Sequence, residues 1–174
     1  MTLRQTLALV VACAGLMSGP GQAWAALPTC DEAATGARLR VAVQVVRAAQ
    51  GVITFTLYPD DPGRFLAHKG SIGVLRVPAE APSTEVCIAL PGPGVYALAV
   101  YHDANGDRRF SRNAIGLPTE AYGLSNDPST ILGLPSFRSV RFTTEAGDNT
   151  IQIRLRYPGN DRSNARSTEK QPAH

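Results

Sequence analysis

Hydrophobic residues occupy every second position in two neighbouring stretches near the start of the chain. In residues 39–46 the odd-numbered positions are apolar, and after Gly51 the apolar positions are Ile53, Phe55 and Leu57. A period of two is typical of a β-strand with one buried face. Residues 47–50 are few enough to form a turn, so the pattern predicts a hairpin of two strands.

Five further stretches combine β-branched and aromatic residues in runs of strand length. They cover residues 72–77, 85–90, 95–102, 137–143 and 150–157. Turns rich in Gly, Pro, Asp and Asn separate the runs, and no stretch keeps a sustained helical period. This organisation predicts an all-β fold, a sandwich of about seven strands of the immunoglobulin-like or transthyretin-like type. It forms a single domain over residues 26–157.

The strand predicted at residues 95–102 is unusual because residues 95–100 are apolar on both faces. A sandwich strand normally exposes one face to water, so another segment should cover the second face. The connection at residues 103–136 is too long for an ordinary loop. We therefore expect this long loop to fold over the sheet through its apolar residues, which are Ile115, Leu117, Tyr122, Leu124, Ile131 and Leu134.

The first 25 residues have the layout of a secretory signal peptide. Arg4 precedes an apolar run at residues 7–17, and Ala23-Trp24-Ala25 offers a cleavage site. The run is shorter than the roughly 20 residues of a membrane-spanning helix, so no membrane span is expected. The sequence predicts a periplasmic or secreted protein. A lipoprotein anchored through Cys13 is the alternative interpretation.

Composition limits the partners of the processed chain. The 174 residues include 17 basic and 14 acidic side chains, and residues 1–25 contain one Arg and no acid. A net charge of about +2 therefore remains after cleavage. The basic residues are scattered, so no nucleic-acid partner is expected. Residues 158–174 are polar, and we expect this tail to be disordered.

Two cysteines remain after signal removal, Cys30 and Cys87. An even number in an oxidising compartment favours a disulfide bond, which would tie the N-terminal segment to a strand. Neither cysteine has a second Cys or His at ligand spacing, which disfavours a zinc site.

The long loop begins with carboxylate and amide side chains at alternate positions. Their oxygen atoms suit calcium, and Gly106 permits the sharp turn that brings them together. Calcium is the one candidate cofactor, with Asp103, Asn105, Asp107, Ser111, Asn113 and Glu120 as candidate ligands. The alternative is a turn in which Asp and Asn side chains bond to their own backbone without an ion.

No catalytic residues are predicted. His102 and Asp103 are adjacent on a strand and point to opposite faces, so they are poorly placed to share a proton. Ser125 lacks the Gly-x-Ser-x-Gly turn of a nucleophilic serine. The polar and aromatic residues of the loop are instead candidates for binding: His102, Asp103, Asn105, Asp107, Glu120, Tyr122, Ser125 and Asn126.

Three segments of the loop carry a specific pattern. They are Tyr101-His102-Asp103-Ala104-Asn105-Gly106-Asp107, Gly116-Leu117-Pro118-Thr119-Glu120-Ala121-Tyr122-Gly123-Leu124-Ser125-Asn126 and Pro135-Ser136-Phe137. In order and spacing they resemble the exported bacterial family catalogued as domain of unknown function 2141, over roughly residues 39–157. The resemblance implies a secreted or periplasmic β-sandwich without an established activity. Ser111 stands where the family often has an acid, which weakens any metal role of that position.

Three functions fit these observations. The first is a non-catalytic exported module that binds a small ligand or an envelope partner through residues 103–136. The second is a hydrolase of the transthyretin-like kind, although the processed chain contains few of the His residues that such a site requires. The third is a purely structural envelope protein.

Overall fold

The computed structural model describes residues 25–31, 36–130 and 135–158. Within these ranges the chain forms eight β-strands and one short helix. Their bounds are β1 Ala37–Gln44, β2 Val52–Pro59, β3 Gly73–Pro78, β4 Ser83–Ala89, β5 Gly94–Asp103, β6 Tyr122–Leu124, α1 Phe137–Val140, β7 Phe142–Thr144 and β8 Gly147–Arg154. Nearly all of the predicted signal peptide, including Cys13, and nearly all of the polar tail lie outside the described residues.

The strands form two sheets. One has three strands in the order β4-β1-β8, with β1 parallel to β8. The other has the order β3-β2-β5-β6, and β7 also pairs with β5. The predicted all-β sandwich is confirmed, with β6 as a strand that the sequence pattern did not reveal.

The core lies between the sheets and is filled from alternate positions. On β1, Leu39, Val41 and Val43 are buried while Arg38 and Arg40 are exposed. The other sheet contributes Ile53, Phe55, Leu57, Leu98 and Val100. Burying a side chain of this size stabilises the fold by roughly 1.5–3 kcal/mol.

The predicted hairpin between the first two strands is wrong. β1 pairs with β4 and β8, whereas β2 pairs with β3 and β5, so the two strands lie in different sheets. The connection turns through left-handed backbone at Val45 and Gly51, where φ is 66° and 71°. An alternating pattern marks a half-buried strand, but it does not specify which strand lies beside it.

The strand predicted at residues 137–143 is also wrong in its first half. Phe137 and Val140 are three positions apart, and one turn of α1 buries both side chains. They pack with Leu124 and Phe65 against Ala97 on the outer face of β5. The helix therefore covers part of the second apolar face that the sequence analysis identified.

The long loop covers less of the sheet than expected: Leu124 packs with Ala97 on the outer face of β5, but other predicted contacts are absent from the described residues. Residues 122–124 form β6, which pairs with β5 in the plane of the sheet. Ile115 and Leu117 are 79% and 56% exposed, so neither covers a sheet face. Ile131 and Leu134 lie outside the described residues. Ala99 of β5 is consequently only half-buried.

Residues 25–31 join the two sheets along one side of the sandwich. The amide of Leu27 donates to the carbonyl of Val74 on β3 at 3.1 Å. The amide of Ala89 on β4 donates to the carbonyl of Pro28 at 2.9 Å. The segment thus makes backbone hydrogen bonds to both layers.

A disulfide bond holds this N-terminal segment in place. It joins Cys30 to Cys87 of β4, as predicted, with the Cα atoms 5.4 Å apart. Disulfides are typical of proteins in oxidising compartments. Among the described residues, no helix has the length and hydropathy to span a membrane.

β6 joins the sheets along the opposite side, through the end of β8 and the residues that follow it. The amides of Tyr122 and Arg156 each donate to the other's carbonyl, at 3.1 and 2.8 Å. A Cβ added to Gly123 would lie 2.5 Å from Cγ2 of Ile153 and 2.9 Å from the carbonyl oxygen of Arg154. Glycine is required at this position because β6 and β8 approach so closely.

Candidate functional site

The loop after β5 is built around the carboxylate of Asp103. This side chain is fully buried, and its two oxygens accept hydrogen bonds from the amides of Gly106 at 2.7 Å and Arg108 at 2.8 Å. Gly106 and Arg108 have φ of 73° and 61°, so the backbone turns sharply around the carboxylate. Both bonds go to the backbone of the same loop, which gives Asp103 a structural role.

Asn105 and Asp107 form the next part of the turn. Oδ1 of Asn105 accepts the amide of Asp107 at 3.1 Å, and Oδ1 of Asp107 accepts the amide of Arg109 at 2.8 Å. Nδ2 of Asn105 also donates to Oδ2 of Asp107 at 3.1 Å. The two bonds to the amides of Asp107 and Arg109 are the side-chain to backbone bonds that the ion-free interpretation requires.

Glu120 completes an acidic cluster with Asp103 and Asp107. The three carboxylates each place an oxygen within 4.8 Å of the others. Oε2 of Glu120 accepts the amide of Ser111 at 3.0 Å. Burial and the negative charges of Asp103 and Asp107 raise the pKa of Glu120 above its ordinary value. The cluster is therefore strained by like charges when all three groups are ionised.

The structure brings together some of the predicted calcium ligands and separates others. Asn113 is engaged elsewhere, because its Oδ1 accepts the amides of Ile115 and Leu117 at 3.1 and 3.0 Å. Ser111 contacts Glu120 through its amide. A calcium site at the acidic cluster stays a prediction.

We expect Glu120→Gln to raise the melting temperature at pH 7 in the presence of chelator. Glutamine keeps an oxygen for the Ser111 amide but removes the charge that Asp103 and Asp107 repel. Because the pKa of Glu120 is raised in the folded state, ionisation costs stability as the pH rises above the ordinary value of 4.5. The gain should therefore shrink below that pH. Glu85→Gln, on an exposed strand position, is the control.

The same variant tests the calcium prediction. If calcium binds the acidic cluster, millimolar calcium raises the melting temperature of the wild type above its value in chelator, because the ion binds the folded state. Glu120→Gln should lose most of that rise. An unchanged wild-type melting temperature contradicts the calcium site and leaves the hydrogen-bonded turn as the explanation of this sequence.

His102 ties the end of β5 to two connections. Its imidazole is buried, and Nε2–H donates to the carbonyl of Gln50 at 2.7 Å. Its amide donates to the carbonyl of Ala121 at 2.9 Å. The side chain therefore anchors the connection between β1 and β2 rather than facing Asp103.

Ser125 and Asn126 attach the long loop to α1. The buried Ser125 hydroxyl accepts the amide of Leu98 at 3.0 Å and donates to the carbonyl of Val140 at 2.5 Å. Nδ2 of Asn126 donates to the carbonyl of Arg141 at 2.8 Å. The polar atoms of both side chains bond to the backbone of neighbouring elements.

A cleft of about 240 Å³ opens on the outer face of the five-stranded sheet. We call it the aromatic cleft and define it by Thr56, Ala99, Tyr101, Phe110, Arg112 and Tyr122. Thr56 and Ala99 are cross-strand neighbours with small side chains. The ring of Phe110 lies 5.4 Å from that of Tyr101 and 6.0 Å from that of Tyr122, centroid to centroid.

The arginine of the cleft is held at its rim by two contacts. Cζ of Arg112 lies 5.1 Å from the centroid of the Phe110 ring, a cation–π distance. Nη1 of Arg112 donates to the carbonyl of Gly116 at 3.1 Å. The cleft thus combines apolar ring surface with one positioned positive charge.

Among the predicted binding residues, Tyr122 alone lines the aromatic cleft. Tyr101, Phe110 and Arg112 also line the cleft but were not among the predicted binding residues. Phe110 and Arg112 reach it because the turn around Asp103 folds residues 110–112 back over β5. The available signal was that Tyr101 and Tyr122 flank the part of the loop that contains Phe110. That signal indicates a shared cleft only once β5 is known to pair with β6, and the sequence did not reveal this pairing.

Fold and site together define a two-layer β-sandwich with an aromatic cleft beside a hydrogen-bonded acidic loop. The chain belongs to the family described as uncharacterized protein conserved in bacteria (DUF2141), whose model matches residues 41–152. This confirms the resemblance seen in the loop. No match was found among curated proteins or among solved structures.

Proposed function

We propose that this chain is an exported, non-catalytic binding module whose aromatic cleft holds a ring-sized group of a ligand. The observation that carries the proposal is the cleft itself, where three partly exposed rings stand beside the small residues Thr56 and Ala99. A ligand that covers this surface removes apolar area from water, which is favourable.

The size of the cleft supports a small ligand. Pockets for drug-sized molecules are typically 300–1,000 Å³, and the aromatic cleft, at about 240 Å³, falls below that range. Tyr101, Phe110 and Tyr122 offer ring faces and edges, which favour stacked or edge-to-face contact with a planar group. One ring of a ligand is therefore the expected occupant.

Two further observations support export and the absence of catalysis in this proposal. The signal-like N-terminus and the Cys30–Cys87 bond both favour an oxidising compartment. The groups that resemble catalytic residues, His102 and Ser125, each bond to backbone carbonyls inside the fold. Their protons are committed to structural hydrogen bonds.

The proposal is tested with benzamide, a neutral planar probe. Titration of isotope-labelled protein, followed by amide NMR, should give saturable shifts at Ala99, Tyr101 and Tyr122. Phe110→Ala should weaken binding roughly tenfold because it removes one wall of the cleft.

Ile115→Ala is the matched control, since Ile115 lies on the same loop, is 79% exposed and does not line the cleft. Shifts that fail to saturate, or that persist unchanged in Phe110→Ala, would refute the aromatic cleft as a binding site.

A further inference from the structure

We infer that the ligand of the aromatic cleft is a small ring compound with a negative charge, and that Arg112 binds that charge. This inference rests on the proposed function and specifies the class of ligand. It follows from the charges that the fold places around the cleft.

Arg112 is the one charged side chain that lines the cleft within the described residues. No carboxylate among the described residues lies within ion-pair distance of Arg112. Its guanidinium has five N–H donors, and the contact with the carbonyl of Gly116 uses Nη1. The remaining donors lie on an exposed side chain and are available to an anion.

The position of Arg112 suits a ligand whose ring stacks on the aromatic side chains while its charged group forms an ion pair with the guanidinium. Its guanidinium lies over the Phe110 ring, which also faces Tyr101 and Tyr122. Two contacts, with Phe110 and Gly116, hold the planar guanidinium, so little side-chain freedom is lost when it binds a carboxylate. A ring seated among the aromatic residues can therefore carry its charged group toward Arg112.

Arg76 adds a second positive charge near the same site. On β3 it is opposite Thr54 of β2, which is in turn opposite Tyr101 of β5, so the three residues form one row across the sheet. Burial raises the pKa of Tyr101, while the charge of Arg76 acts in the opposite direction. The charge of Asp103 also acts on Tyr101 and raises its pKa, but the two oxygens of Asp103 already accept backbone amides.

The experiment compares benzoate with benzamide, which have the same shape and differ in charge. Wild-type protein should bind benzoate about threefold more tightly, the effect of one exposed charge pair. The preference should fall as salt is added. Arg112→Gln should lower the affinity for benzoate and remove most of the preference.

Arg40→Gln is the matched control because it removes the same charge from an exposed position on the opposite sheet. It should keep the preference for benzoate. Equal affinities for the two probes in the wild type would overturn the inference while leaving the proposed function intact. Loss of the preference in both variants would overturn it too, because net charge would then explain it. If neither probe binds, the proposed function fails and the inference fails with it.

Discussion

Replacing both Cys30 and Cys87 by serine should lower the free energy of unfolding by about 4 kcal/mol. The bond joins residues 57 positions apart. Cross-linking them removes many conformations from the unfolded chain, and a loop of this length gives a stabilisation of that order. Denaturant unfolding of the wild type and the double variant, each fitted with its own slope, measures the difference.

Wild-type protein in reductant provides the control, and its stability should match that of the double variant. Amides of the N-terminal segment, such as those of Leu27 and Cys30, should also exchange faster once the bond is absent. Wild type and double variant of equal stability would contradict a structural role for the disulfide.

Ser125→Ala should destabilise the protein by about 3 kcal/mol. The hydroxyl is buried and bonds to the amide of Leu98 and the carbonyl of Val140. Alanine leaves both partners without this bond, and an unsatisfied buried group costs roughly 1–3 kcal/mol. Denaturant unfolding gives the change in free energy.

Ser136→Ala is the matched control for this change. Ser136 precedes α1, is exposed, and makes no side-chain capping bond to the helix. Its replacement should change stability by less than about 0.5 kcal/mol. Similar losses for the two variants would show that the hydroxyl of Ser125 is not the source of the effect.

The strands were predictable where one face is buried and the other faces water. Leu39, Val41 and Val43 alternate with polar neighbours, so their burial follows from local spacing. The pairing of the strands was not predictable in this way, because β1 and β2 have similar patterns of apolar residues and yet lie in different sheets. Long-range contacts select the neighbour of each strand.

The candidate site was predictable as a region but not as a set of contacts. Asp103, Asn105 and Asp107 were recognised as a turn or an ion site, and the turn's hydrogen bonds are present. Phe110 was missed because its role arises from ring contacts with residues nine positions before it and twelve after it, Tyr101 and Tyr122. Such contacts depend on how the whole loop folds.

The N-terminal segment also determines which strand edges of the sandwich are exposed to other copies of the protein. Strand edges with unpaired amides and carbonyls are templates on which another chain can add a strand and start aggregation. Here residues 25–31 occupy the edges of β3 and β4, while Tyr122 and Arg156 pair across the other side. Because the Cys30–Cys87 bond holds residues 25–31 in place, we expect oxidation to protect the protein from edge-to-edge association as well as from unfolding.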